Sequence, residues 1–503
     1  MERPKICLTL TGKTIKEDLE LIEKYRNYVD IVELRGDFLE DDERLHIRKF
    51  PSLAKIPCIL TLRRVIDGGM FKEGEAARTI LFGRALAFTE ETKKFEYIDF
   101  EEDFHIPSLQ DAALAFEIKI IRSVHNMHGP VTNIKQRLES LCTSGYEIPK
   151  IAFMPKSVKD VENLFKEASE LKDNNHILIA MGDLGLPSRI LSARLKNYLT
   201  FVSAKSGEGA KSLSHIGHLD PVTLNDVYRF KSIDENTKLY GITGWPLTST
   251  SSPEIHNKGY ELKKINAVYV PFRGEKFEDV MSFANAVGVE GLSVTIPHKE
   301  EAASYADEKD EKVKSIGASN TLVKKDGKWF AYNTDAPGFA KSLLEFCGLK
   351  NLKHKKVAII GAGGAAKGIA WAVKNLKGKA CVFNRTVTKA KNLAEQYGFE
   401  YASLSPESAN ILKKYSDIII QTTSKGMYST EESNSENDPI FFYEFTGKEM
   451  LFDIVYVPAV TPVMARAESA GCKVINGFNM LKYQGYEQFE LYTGVEYDGN
   501  FKG

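Results

Sequence analysis

Lys356 to Val373 reads KVAIIGAGGAAKGIAWAV, an apolar run that breaks at glycine and resumes with helical spacing. Four consecutive apolar residues, Val357 to Ile360, predict a strand buried on both faces of a parallel sheet. Gly361-x-Gly363-x-x-Ala366 follows at once and fits the glycine fingerprint of a dinucleotide-binding turn. Glycine is needed there because a pyrophosphate must approach the backbone closely. The N-terminus of the next helix then offers it free N–H groups and the positive end of a dipole.

Outward from this turn, the next β-run, ACVFNRT, ends in Asn384, Arg385 and Thr386, with Lys389 just beyond. An NAD site would place an acid on the ribose at this point; a cation there favours a 2′-phosphate, hence NADP. A surface arginine at a strand end is the plainer alternative. DIIIQTTSKGM, from Asp417, is a further buried run ending in small hydroxyl residues and Gly426, a turn able to pass under a nicotinamide ribose. Upstream, GLSVTIPHKE places Lys299 just after a proline, and YNTDAPGF carries Asp335. Reduction of a ketone needs a proton donor beside the developing alkoxide, and a lysine held by an aspartate meets that need. Taken singly, Lys299 reads as a surface lysine and Asp335 as a helix cap.

The first ~230 residues contain eight β-rich runs: ICLTLT, DIVELRGD, CILTLR, YIDFEE, KIIRSVHN, KIAFMP, HILIAMGD and LTFVSA. Helical patterns separate most of them, as in Val158–Leu171 with its apolar face. Eight such repeats predict a closed (β/α)8 barrel, with an open doubly wound sheet as the alternative. Barrel chemistry sits at strand C-termini, which singles out Glu33, Arg35, Asp37, Arg63, Arg64, Asp67, His125 and Arg189. Converging arginines suit an anionic, hydroxylated ligand; a buried Glu33–Arg35 ion pair is the structural alternative. Lys150 reads as the first residue of the KIAFMP strand, away from the catalytic end. It is either a lysine snorkelling at a strand edge or a desolvated amine nucleophile of lowered pKa.

Residues 231–238 (KSIDENTK) are polar and suit a linker, and STEESNSEND from Ser429 reads as a solvated surface loop. At 503 residues the chain needs two or three domains, and its composition, 43% hydrophobic and 27% charged, is that of a globular protein. A net charge of −1 offers no bulk attraction to nucleic acid or an anionic membrane. Six scattered cysteines without a C-x-x-C pair read as reduced thiols, and no stretch is apolar and long enough for a signal peptide or a membrane span. A cytoplasmic enzyme is expected.

The runs GWPLTSTSSPEIHN, GLSVTIPHK, GASNTLV, NTDAPG, GAGGAA, NRT, TTSKGM, DIVYVPAVTP and NGFNMLKYQGYEQF, in that order, resemble the shikimate dehydrogenase family over residues ~239–500. The resemblance makes Lys299 and Asp335 the catalytic pair. It gives Thr250, Ser252, Thr295, Asn320, Tyr456 and Gln484 to the substrate. NADP falls to Gly361, Ala362, Gly363, Gly364, Ala365, Asn384, Arg385, Thr386 and Lys389, with Thr422, Ser424, Gly477 and Met480 near the nicotinamide. Thr250 stands where the family's first serine is usual and Ser249 where a histidine is usual, so a quinate-preferring dehydrogenase is the alternative within this class; Gln421, where an asparagine is usual, is a minor change.

VELRGD, TLRRVIDGG, YIDFE, SVHN, PKIAFMP and AMGDLGLPSR resemble type I 3-dehydroquinate dehydratase over residues ~1–230. By this resemblance Lys150 forms an imine with the substrate ketone, and His125 removes the acidified proton and protonates the leaving hydroxyl. Asp67 replaces the glutamate that partners the histidine. Glu33, Arg35, Arg63, Met181, Arg189, Ser214 and His218 hold substrate, with His218 in place of the usual glutamine. His125 and His128, and His215 and His218, have H-x-x-H spacing without a third ligand, so no metal is expected.

The two resemblances together imply consecutive steps on 3-dehydroquinate and 3-dehydroshikimate, giving shikimate with NADPH. A ligand-sensing regulator built from enzyme-like domains is the rival; the survival of Lys150, His125, Lys299 and Asp335 argues against it. The expected order is a barrel at 1–230, a linker at 231–238, an α/β substrate domain at 239–340, a Rossmann-like NADP domain at 341–476, and a C-terminal helix, 477–503, returning to the substrate domain.

Overall fold

The computed structural model describes residues 3–87, 93–172, 175–205, 213, 215–247 and 250–499. They fall into two compact units, Met1–Gly241 with Lys263–Val289, and Ile242–Leu262 with Glu290–Gly503.

The first unit contains eight parallel strands: β1 (Lys5–Leu10), β2 (Ile31–Arg35), β3 (Cys58–Thr61), β4 (Tyr97–Glu101), β5 (Lys119–Asn126), β6 (Glu147–Phe153), β7 (Ile177–Ala180) and β8 (Leu199–Ser203). They stand in the order β7-β6-β5-β4-β3-β2-β1-β8. Sequential order with β1 beside β8 is the topology of a barrel and rules out the doubly wound alternative. The seam between β7 and β8 is closed by a side chain. Asn197 accepts from the Leu178 N–H at 2.7 Å and donates to the Leu178 carbonyl at 2.9 Å, taking the place of a ladder rung.

Alternation along each strand sorts the barrel interior into layers. Cys7, Ile31, Ile59, Tyr97, Ile121, Ile148, Ile177 and Leu199 form one apolar cluster. Two residues further along β1 to β6 come Thr9, Glu33, Thr61, Asp99, Ser123 and Lys150, all buried. Two further again come Arg35, Arg63, Glu101 and His125. The strand bearing Lys150 starts three residues earlier than the sequence reading placed it, at Glu147. Lys150 is therefore mid-strand, opposite Ser123 and Ile177, and faces the interior.

The residues expected to form the linker make a tied turn. Asp234 Oδ1 accepts from Asn236 N, Thr237 Oγ1 and Asn266 Nδ2 at 2.9, 3.0 and 3.3 Å. β9 (Lys238–Thr243) follows. β10 (Ala267–Pro271), hydrogen-bonded to β9, and the helix Phe277–Ala286 fall in the first compact unit. That helix packs on Val158–Ser169, with the Phe165 and Phe283 rings 5.4 Å apart and Ser282 Oγ donating to Glu162 Oε1 at 2.9 Å.

In the second unit, β11 (Val289–Val294) runs antiparallel to β13 (Thr321–Lys325), β13 antiparallel to β14 (Lys328–Tyr332), and β14 parallel to β12 (Glu308–Lys309). A second sheet is wholly parallel. Its order is β17 (Glu400–Ser403), β16 (Lys379–Asn384), β15 (Lys356–Ile360), β18 (Ile418–Gln421), β19 (Met450–Asp453), β20 (Lys473–Ile475). Val357 to Ile360 are fully buried, as the apolar run predicts. The helix Phe478–Thr493 crosses Asp335–Cys347 so closely that a Cβ on Gly338 would lie 2.8 Å from the Gln484 nitrogen. The loop from Ser429 is not merely solvated: Asp438 is buried and binds Arg466 at 2.8 Å. Among the described residues no helix is long and apolar enough to cross a membrane, and all six cysteines are free.

Asn197→Ala should leave a buried N–H and C=O unpaired at the seam. The expected cost is about 2–3 kcal/mol, read as a lowered denaturation midpoint.

Candidate active sites

The polar layers of the barrel open into one cavity lined by Glu33, Arg35, Arg63, Asp67, His125, Lys150, Met181, Arg189 and His218. Nine of the expected barrel residues thus converge; Ser214 lies outside the described residues. Glu33 and Arg35 are not an ion pair. Glu33 accepts from Thr9 Oγ1 at 3.0 Å and Thr61 Oγ1 at 2.8 Å, while Arg35 forks onto Asp37 at 2.9 and 2.7 Å.

Lys150 Nζ lies 3.2 Å from Asp99 Oδ2 and 4.5 Å above the Phe201 ring. The sequence reading gave the lysine no partner. Asp99 also binds Arg63 at 2.8 Å, and accepts from Ser123 Oγ at 2.5 Å; Arg63 continues to Glu101 at 2.7 Å. The flanking Arg63 and Lys150 hold the Asp99 carboxyl far below the usual carboxylate range against the cost of burial. Asp99 and Glu101 are the acids the sequence reading passed over. Their signal was available: two carboxylates at alternate positions of an apolar strand, YIDFE, must share one face.

His125 is half-buried, and its Nδ1 is shielded from solvent with no hydrogen-bond partner among the described residues. Desolvation first, then Arg63 and Lys150, push its pKa well below that of free imidazole, so it is a neutral base. Asp67, expected beside it, instead accepts from Arg64 Nε at 2.6 Å. Arg189 is 2% exposed and, among the described residues, donates only to the Phe201 and Ile216 carbonyls, at 3.5 and 2.7 Å. Among the described residues it has no carboxylate partner, and burial pulls its pKa down. A buried guanidinium without a carboxylate partner can receive an anion. His218 is likewise pushed to the neutral form by burial and then by Arg189.

In the second unit, Lys299 Nζ donates to Asp335 Oδ2 at 2.5 Å. The Asn320 carboxamide donates to the other oxygen of Asp335 at 3.0 Å, to Thr334 Oγ1 at 2.9 Å and to Gln484 Oε1 at 3.2 Å. One amide therefore fixes the aspartate and the glutamine together. Thr250 Oγ1 donates to Ser252 Oγ at 3.1 Å, and burial pushes the Tyr456 hydroxyl above the usual phenol pKa. Thr295 follows β11, with its N–H on the Thr243 carbonyl at 2.9 Å.

The glycine turn abuts this pair: a Cβ on Gly364 would lie 3.6 Å from Lys299 Cδ. Gly361 has φ +114°, and a Cβ there would come within 2.4 Å of Thr422 Oγ1. A Cβ on Gly363 would meet no protein atom within 4 Å, so that space is open to a ligand. β15 and β18 flank the point where strand order reverses, the crevice in which such sheets bind dinucleotides. Arg385 and Lys389 are exposed after β16, with no carboxylate partner among the described residues. Asn384 Nδ2 donates to the Thr386 carbonyl at 3.0 Å and sets this loop. These residues fit an NADP phosphate. Ser424 is exposed in the turn after β18, and Gly477 sits against the Ile454 carbonyl, while Met480 is buried in the core with Phe339 and Phe452. Gln421 is more than a passive replacement. Its amide accepts from Thr423 N at 2.5 Å and donates to the Thr423 and Lys425 carbonyls at 3.0 and 3.1 Å, shaping the turn that carries Thr422 and Ser424.

Residues 6–235 match the family model of type I 3-dehydroquinase, 242–322 that of the shikimate dehydrogenase substrate binding domain, and 342–476 that of shikimate / quinate 5-dehydrogenase. The chain is 32% identical over 515 residues to the bifunctional 3-dehydroquinate dehydratase/shikimate dehydrogenase, chloroplastic, of Arabidopsis thaliana, covering 97% of this chain and 82% of that protein. It is 38% identical over 275 residues to the shikimate dehydrogenase (NADP(+)) of Alkaliphilus oremlandii, covering 52% of this chain and 94% of the relative. A crystal structure of shikimate 5-dehydrogenase from Thermus thermophilus in complex with NADP(H) and shikimate matches 52% of this chain and 95% of its own, at 28% identity and TM-score 0.45. Both halves being matched in one polypeptide, and one relative matching nearly end to end, the chain belongs to the bifunctional 3-dehydroquinate dehydratase/shikimate dehydrogenase family, an NADP-dependent enzyme of the shikimate pathway.

Proposed function

We propose that dehydration runs through an imine on Lys150 and reduction through the Lys299–Asp335 pair. The observation that carries the first assignment is the Lys150 amine, buried 3.2 Å from Asp99 in a cavity shared with His125 and Arg189. The substrate carboxylate sits on Arg189, the one arginine or lysine lining the cavity that lacks a carboxylate partner among the described residues. Lys150 Nζ, as free amine, adds to the ketone carbon; the oxygen leaves as water and an iminium remains. The iminium acidifies the neighbouring C–H, and His125 takes that proton. The electron pair expels the hydroxyl, which leaves as water with the proton His125 returns. Hydrolysis frees Lys150. Asp99 keeps Lys150 and Arg63 in place throughout, and Glu33, Arg35, Met181, Ser214 and His218 orient the ring. Asp67 belongs to the same wall, held through Arg64.

In the dehydrogenase, Thr250, Ser252, Thr295, Asn320, Tyr456 and Gln484 take the substrate's carboxylate and hydroxyls. Lys299 Nζ donates the proton to the developing alkoxide, and Asp335 holds that amine in line. Bound NADPH supplies the hydride. Gly361 to Ala365 take its pyrophosphate, Asn384, Arg385, Thr386 and Lys389 its 2′-phosphate, and Thr422, Ser424, Gly477 and Met480 the nicotinamide end. Shikimate is the proposed product; Thr250, in place of a serine, supports quinate as a second substrate. We keep the expected division at 1–230, 231–238, 239–340, 341–476 and 477–503 as functional regions, and a cytoplasmic site of action, which six free thiols support.

Borohydride added with 3-dehydroquinate should fix a mass adduct on Lys150; an unmodified Lys150 refutes the imine. Lys150→Ala should abolish dehydration and leave NADPH oxidation with 3-dehydroshikimate intact. Lys299→Ala should do the reverse, lowering kcat by roughly 10²- to 10⁴-fold.

Arg385→Ala should raise KM for NADP by about 10- to 100-fold, the worth of a charge-assisted hydrogen bond, with KM for NAD nearly unchanged. Comparable loss with both nucleotides would remove Arg385 from the 2′-phosphate site.

A further inference from the structure

Asp67 stands in the turn Val65–Asp67, directly after β3 and Arg63. The turn is closed by Asp67 N and Gly69 N on the Arg64 carbonyl, at 3.1 and 2.8 Å, and by Phe71 N on the Arg63 carbonyl at 3.0 Å. It lies against the end of β5: a Cβ on Gly68 would touch Met127 at 3.2 Å, two residues beyond His125. Asp67 and His125 line the same cavity. Yet no hydrogen bond joins them. Arg64 takes the Asp67 carboxylate at 2.6 Å on one edge of its guanidinium and grips Asp103 with two bonds, 3.0 and 2.8 Å, on the other.

We propose that Arg64 is a positioning residue of the dehydratase, which withholds the Asp67 carboxylate from His125 and so sets the lowest pH at which His125 can act as a base. The inference rests on the reading of His125 as that base. His125 faces Arg35 from β2, Arg63 after β3, Asp99 from β4, Lys150 from β6, and Glu33, Asp67 and His218 across the cavity. Three cations there favour neutral imidazole. A carboxylate turned onto Nδ1 would oppose them, stabilise imidazolium, and move the onset of activity to higher pH. The fork of Arg64 prevents this because Asp103 anchors its far edge.

The test is the pH profile of kcat/KM for dehydration in the full chain. Arg64→Ser should shift the acid limb upward by about one pH unit, the low end of the effect of an opposite charge a few ångströms away. Arg64→Ser/Asp67→Asn should restore the original limb, because the freed carboxylate is gone. An unmoved limb in Arg64→Ser, or a shift that survives in the double variant, overturns the proposal. Far-UV circular dichroism and the denaturation midpoint of the same samples, against the parent chain, report that the barrel is folded. Should Arg64→Ser fail that control, Arg64→Lys, which keeps the charge and loses the fork, must shift the limb in the same direction. Failure of the underlying reading looks different: His125→Ala would then dehydrate as fast as the parent chain.

Discussion

A charge inside a barrel is tolerable only when another charge or several dipoles answer it, and the dehydratase half is organised around that constraint. Lys150 and Arg63 share Asp99, and Arg63 carries on to Glu101. Removing one partner of such a buried set leaves an uncompensated ion, at a cost of about 3–5 kcal/mol. Matching is complete for Lys150, Arg63 and Arg35, and fails for Arg189, whose partners are carbonyl oxygens. Of the arginines and lysines that line the cavity, Arg35, Arg63 and Lys150 each have a carboxylate and Arg189 has none among the described residues. The same field explains the histidine: burial and cations together hold His125 neutral, the state in which it takes a proton.

The second unit solves a different problem, how to bring a backbone turn and two side chains close to one small molecule. Gly361 can approach Thr422 only because it lacks a Cβ, and Gly364 brings the helix N-terminus against the Lys299 stem. Asn320 then makes the substrate side rigid by holding Asp335 and Gln484 with a single amide. Gln421 does the equivalent for the turn after β18. Precision of this kind favours chemistry because little has to reorganise when the reacting groups meet.

Much of this was legible beforehand. The eight strands of the barrel, the glycine turn and the acceptor loop at Asn384–Thr386 all lie where their runs predict. Each depends on a local rule, period-two alternation or the need for a missing Cβ, that operates within a few residues. Lys150 was misjudged in position because its strand begins with Glu147, whose charge disguises the start of an apolar run. Asp99 and Glu101 were quoted as strand and not read as a site, although their spacing placed them inside.

By itself the sequence determined the α/β class, the eightfold repeat, the dinucleotide turn and the preference for a 2′-phosphate, since all of these follow from residues adjacent in the chain. Only the tertiary structure decided who partners whom. It closed the barrel through Asn197, gave Lys150 to Asp99, left Arg189 without an acid among the described residues, and turned Asp67 to Arg64 instead of His125. The Asn197–Leu178 and Lys150–Asp99 pairings join residues 19 and 51 apart in the chain. They are settled by which charges the fold brings within about 4 Å of each other in a medium that screens them poorly, and no local pattern encodes that.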